Sequence, residues 1–141
     1  MPPLEATTGM LLAPGRDGIR SLAVAGGMSV LVVEDDASLR LLCRVNLELE
    51  RFDVREAGTI DEARAEVEAE RPGVVFLDVH LRGQETDGLL DEFRAAGIPV
   101  VVVTGSADIS RFRDRAVEVL EKPFRPADLI AAAKRHGRPL G

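Results

Sequence analysis

The chain has 141 residues, 45% of them apolar, which is enough for one ordinary domain around a single core. Its net charge is -6 and its Lys and Arg residues form no block, which argues against nucleic-acid contact. One cysteine excludes an internal disulfide and a thiolate metal cluster, and no apolar run reaches the roughly 18 residues of a membrane-spanning helix. The start carries acid and proline where a secretory signal has basic residues, so a cytoplasmic location is expected.

Residues 1–27 are rich in Gly, Pro, Ala and Thr, lack periodicity and close on Gly26-Gly27. They are expected to be a disordered extension. From Ser29 onward short apolar runs alternate with helical patterns, the mark of an α/β doubly wound parallel sheet covered on both faces. "SVLVV" (29–33) reads as the first strand. "ASLRLLCRVNLELE" (37–50) reads as a helix with leucines 39, 42, 47 and 49 near helical spacing and Asp36 as its N-cap. Cys43 falls inside it and reads as a small buried hydrophobe. "FDVREA" alternates like a short, more exposed strand. "TIDEARAEVEAE" (59–70) is a helix whose Thr59 and Glu62 fit a capping box, stopped by Arg71-Pro72-Gly73. The strand "VVFL" follows, then a polar loop from Asp78 to about Asp87, the helix "GLLDEFRAAG", and the β-branched strand "IPVVVVT". A charged "GSADISRFRDR", where a fourth helix should be short, leads to the strand "AVEVL" and a helix from Pro126 to His136. The folded domain is therefore placed at 28–137, with a short tail at 138–141.

In an open parallel sheet functional groups gather at the carboxyl ends of the strands. The first strand ends in Glu34-Asp35-Asp36, the third in Asp78, the fourth in Thr104, and the fifth in Glu121-Lys122-Pro123. Singly, each has an ordinary surface or capping explanation. Together, carboxylates, a hydroxyl and an ammonium describe a metal-and-phosphate site. Two or three carboxylates without His or Cys side-chain ligands suit a hard cation such as Mg²⁺. An aspartate can take a phosphoryl group as a nucleophile, and an ammonium, a hydroxyl and a metal can stabilise the charge on its oxygens.

These motifs, in this order, resemble the receiver domain of two-component response regulators over about residues 28–137. "VLVVEDDASLR" resembles the family's first strand with its metal-binding acids, so Glu34 and Asp35 take that part. "VVFLDVHL" resembles the phosphoacceptor strand, so Asp78 is implied as the phosphorylated residue and His80 as the residue whose backbone carbonyl helps bind Mg²⁺ (or Mn²⁺). "VVVVTG" supplies Thr104 as the switch hydroxyl, and "EKPF" supplies Lys122 as the phosphate contact, before a Lys-Pro peptide that is commonly cis in the family. The resemblance implies a flavodoxin-like sheet in the order 2-1-3-4-5. It also implies phosphoryl transfer from a sensor histidine kinase or a phosphotransfer protein, self-dephosphorylation, no other enzymatic activity, and a conformational output to a partner protein; charge and the absence of a long apolar run add the expectation that neither nucleic acid nor membrane is engaged.

The chain departs from the family pattern around its output face. Thr104 and Lys122 are close in sequence, so the fourth helix is expected to be shortened, and Val119 stands where many receivers carry a switch aromatic. His80, Gly105 and Ser106, beside the phosphoacceptor and the switch hydroxyl, are candidates for tuning phosphoryl lifetime. With only "GRPLG" after the last helix, a stand-alone single-domain regulator is expected, with a homodimer through the output face as one further arrangement. Two alternatives stay open at this level: a degenerate receiver acting only as an interaction module, and a small phosphatase using Asp78 as nucleophile.

Overall fold

The computed structural model describes residues 28–137, apart from the side chain of Ser106; the expected extension at 1–27 and tail at 138–141 lie outside the described residues. Five strands form the main sheet: β1 (Ser29–Val33), β2 (Asp53–Ala57), β3 (Val74–Asp78), β6 (Val100–Thr104) and β7 (Glu118–Glu121). All pairs are parallel and the order is β2-β1-β3-β6-β7, the expected 2-1-3-4-5 arrangement. A two-strand hairpin, β4 (His80–Leu81) with β5 (Gln84–Glu85), stands apart. The helices are α1 (Ala37–Leu49), α2 (Ile60–Ala69), α3 (Asp87–Ala95), α4 (Ile109–Phe112) and α5 (Pro126–His136).

Alternation along the central strands builds two cores at once. Leu31, Val33, Val75, Leu77, Val100 and Val102 pack on one face with Ala63 of α2, Leu89, Leu90 and Phe93 of α3, and Phe112 of α4. Val30, Val32, Val74, Phe76, Val101 and Val103 pack on the other with Cys43 and Leu47 of α1 and Leu129, Ala132 and Ala133 of α5. Strands covered on both faces need apolar residues at every position, which is why β1, β3 and β6 are continuous Val, Leu and Phe runs.

Local signals place the helices. The Asp36 side chain accepts from the N–H groups of Ser38 and Leu39 at 2.9 and 3.2 Å, capping α1. Thr59 accepts from Glu62 N–H at 3.1 Å, while the Glu62 carboxylate returns to Gly58 N–H at 2.7 Å, one residue before the cap. The α1 stripe that meets the sheet is Leu39, Cys43 and Leu47, spaced by four; Leu42 and Leu49, part of the expected leucine pattern, are exposed. Burial pushes the Cys43 thiol up to about 12, in keeping with a hydrophobe's role.

Two expectations need correction. β2 is buried rather than half-exposed, and Arg55 in it is 0% exposed. The last turn of α2 closes over Arg55, whose guanidinium donates to the Glu66 carbonyl at 2.5 Å, to the Glu66 carboxylate at 3.1 Å and to the Glu70 carbonyl. A neighbouring strand thereby supplies a donor to the Glu70 carbonyl at the helix end and a second donor to the Glu66 carbonyl, which also accepts from the Glu70 N–H. The segment after Asp78 is the β4–β5 hairpin rather than a loop. Its two turn residues, Arg82 and Gly83, both have positive φ, 50° and 78°, as two-residue hairpin turns require.

Candidate functional site

Parallel register sets the carboxyl ends of β1, β3, β6 and β7 at one edge: Val33 lies opposite Leu77, Asp78 opposite Val103, and Thr104 opposite Glu121. Glu34 and Lys122, just past the ends of β1 and β7, and Asp78 and Thr104, the last residues of β3 and β6, therefore share that edge. Glu34 and Asp78 are buried, at 5% and 7% exposure, and each has a carboxylate oxygen within 4.8 Å of the other's and of Asp35's. Lys122 bridges two of them, its Nζ 2.9 Å from Asp78 Oδ2 and 3.0 Å from Glu34 Oε1. The ammonium is delivered by backbone pairing, since Lys122 N–H donates to the Thr104 carbonyl at 2.8 Å, and the Lys122-Pro123 peptide is cis.

Burial, opposed by the N–H of Asp36 and reinforced by the charge of Asp78, pushes the Glu34 carboxyl up to about 7. Burial by itself would lower the Lys122 ammonium, but its hydrogen bonds to Asp78 and Glu34 outweigh this and hold it above the usual lysine range. Asp35 is held below the ordinary carboxylate range, chiefly by the backbone N–H of Arg82 at 2.8 Å from its Oδ2. The tip of the hairpin thus touches the site. Thr86 ties down its base, its hydroxyl 2.7 Å from the Asp78 carbonyl and 3.0 Å from that of Val79.

The remaining sequence candidates fall around this cluster. Thr104 is 2% exposed at the end of β6, and its hydroxyl faces Asp108 Oδ2 at 3.4 Å. His80 donates its backbone N–H to Asp78 Oδ1 at 3.2 Å, while its half-exposed ring lies 3.5 Å from Asp108 and 3.8 Å from Glu85. Gly105 is exposed, and Ser106 opens a 3-10 turn, Ser106–Asp108, that leads into α4. Val119 pairs opposite Val102 and packs, half-buried, against the core beside Phe112. The fourth helix is short, as expected, at four residues. Sequence reading missed three contributors: the Arg82 N–H, Asp108 and Arg111. The dipeptide Arg82-Gly83 between short polar-apolar pairs was the available hairpin signal; Asp108, within one turn of both Thr104 and Arg111, stands at a spacing too common to mark a site.

A family profile described as the response regulator receiver domain matches residues 30–134. The chain belongs to the response regulator receiver family. The nitrogen assimilation regulatory protein NtrX of Azorhizobium caulinodans is 33% identical over 114 residues, which are 75% of this chain and 25% of that protein. The DNA-binding response regulator MtrA of Mycobacterium tuberculosis is 33% identical over 110 residues, 74% of this chain and 48% of that one. The chain thus spans between a quarter and a half of the length of these relatives. Among solved structures, the receiver domain of NtrX from Brucella abortus superposes with a TM-score of 0.71 at 33% identity, covering 76% of this chain and 96% of that one.

The receiver's acids form a hard-oxygen set without nitrogen or sulfur side-chain donors, the chemistry that suits a divalent cation of the Mg²⁺ type. Asp35 is only half-buried, so the cluster reaches solvent at that carboxylate. Among the described residues no helix is long and apolar enough to cross a membrane.

Proposed function

We propose that this receiver accepts a phosphoryl group on Asp78 from the phosphohistidine of a sensor histidine kinase or phosphotransfer protein, and that the modification changes the α4 region for a downstream protein to read. One observation carries the reading: three carboxylates and an ammonium converge on a buried strand tip whose central member is Asp78. An Asp78 oxygen bonds to phosphorus as the phosphorus–nitrogen bond of the donor breaks, and the bonding electrons stay on the imidazole nitrogen. Glu34 and Asp35, with Asp78 and the His80 carbonyl, would hold Mg²⁺, which supplies charge compensation for the phosphoryl oxygens. Lys122, already 2.9 Å from Asp78, is placed to follow those oxygens, and Thr104 at the adjacent strand end to donate its hydroxyl.

Self-dephosphorylation ends the signal, and no activity on other substrates is proposed. His80, Gly105 and Ser106 are assigned to tuning the approach of water. The net charge of -6 supports a protein, rather than a nucleic acid, as what the domain itself touches. A single-domain role in the cytoplasm is part of the proposal, as is pairing of two copies through the face that contains Val119.

Acetyl phosphate with Mg²⁺ tests the chemistry. Wild-type protein should gain a hydroxylamine-sensitive acyl phosphate, and Asp78→Asn should gain none. A wild type that takes up no phosphate, or an Asp78→Asn variant that labels equally, would move the reading to an interaction module.

A further inference from the structure

Asp108 occupies the N-cap position of α4, where an acidic side chain ordinarily accepts from the free N–H groups of the first turn. It makes no such bond. Its Oδ2 lies instead 3.4 Å from Thr104 Oγ1 and 3.5 Å from His80 Nε2, and its Oδ1 accepts from Arg111 Nη1 at 3.2 Å. Arg111 in turn holds Glu85 of the hairpin at 2.9 Å and Asp87 of α3 at 2.5 Å. A side chain that forgoes its local cap is engaged elsewhere, and the Thr104 hydroxyl, at 2% exposure, is a buried donor that needs an acceptor.

We infer that Asp108 is a positioning residue for the switch: in the unphosphorylated receiver it receives the Thr104 hydroxyl, and it must give that hydroxyl up when a phosphoryl group arrives on Asp78. The inference rests on the phosphoacceptor reading of Asp78. Phosphoryl oxygens and the Asp108 carboxylate compete for one proton donor, and their like charges oppose each other across it. Release of Asp108 leaves it and Arg111 to rearrange together, which disturbs α4 and its ties to Glu85 and Asp87. The route to the surface is therefore ionic, where many receivers turn an aromatic side chain and this one has Val119.

Titration of beryllofluoride with Mg²⁺, followed by amide NMR, tests the competition in wild type, Asp108→Asn, Asp108→Ala, Thr104→Val and the Thr104→Val/Asp108→Ala pair. Asp108→Ala should bind this phosphoryl mimic about five-fold more tightly than wild type, the size expected when one competing hydrogen bond is lost, with Asp108→Asn between them. The gain should vanish in the Thr104→Val background, because no hydroxyl is left to compete for. In metal-free protein without the mimic, the Thr104 methyl resonance should move in Asp108→Ala. Equal affinity in wild type and both Asp108 variants, or an undiminished gain without the Thr104 hydroxyl, overturns the inference while leaving Asp78 as the binding site. A wild type that fails to bind the mimic in an Asp78-dependent way overturns the reading of Asp78 and this inference with it. Thermal melts check each fold, and the isosteric Asp108→Asn carries the test if Asp108→Ala does not fold.

Discussion

Replacing Glu34 by Gln is expected to flatten a fall in stability that the metal-free receiver shows between about pH 4.5 and about pH 7. Burial, with Asp78 alongside, raises the Glu34 carboxyl from its ordinary 4.5 to about 7. Between those values the folded protein holds a proton that the unfolded chain has released. Stability therefore declines as pH rises through the window; the contribution is full below 4.5 and lost above about 7. At about 1.4 kcal/mol for each pH unit of displacement, the loss is on the order of 3 kcal/mol at most. Urea unfolding across the window, followed by far-ultraviolet circular dichroism because the chain has no Trp or Tyr, measures it. Groups remote from the site contribute equally to wild type and Glu34→Gln, so the difference in slope reports Glu34 together with the Lys122 ammonium it contacts. Millimolar Mg²⁺ should also reduce the wild-type slope by compensating the ionised carboxylate. A Glu34→Gln variant with the same slope as wild type would refute the reasoning.

Three further outcomes follow from the packing. Arg55→Met should cost about 3 kcal/mol in urea unfolding, because the buried guanidinium serves the last turn of α2; a loss below about 1 kcal/mol would show that this turn needs no such donors. Gly83→Val should strain the hairpin tip by about 2 kcal/mol at its positive φ and weaken Mg²⁺ binding several-fold, since the neighbouring Arg82 N–H orients Asp35. An NMR titration with unchanged Mg²⁺ affinity would uncouple the hairpin from the site. Cys43 should resist alkylation in the folded protein and react on unfolding, because it is 4% exposed with its thiol pushed up to about 12; fast labelling of the native state would contradict its burial.

The main sheet was legible because its central strands are covered on both faces, so Val30 to Val33, Val74 to Leu77 and Val100 to Val103 spell their burial residue by residue. Asp36 and Thr59 marked their helices through bonds within a few residues of sequence. Glu34, Asp35, Asp78 and Lys122 were legible as a set because strand ends in a parallel sheet share an edge. Arg55 was not legible. An arginine alternating with apolar residues resembles a solvated face, and only the turn of α2 folded over it makes it interior.

What the sequence determined by itself was the alternation of elements, the edge on which the chemistry gathers and the side chains that supply it, since all three follow from periodicity and from order along the chain. Tertiary structure alone decided the contacts between distant residues. It turned the segment after Asp78 into a hairpin whose Arg82 N–H meets Asp35, 47 positions away. It ran Arg111, which also holds Asp108 at the start of its own helix, across to Glu85 and Asp87. The physical reason is common to these cases. A polar group's partner is chosen by what packing brings within about 3 Å, and for charged side chains in short segments the local sequence leaves several partners equally open.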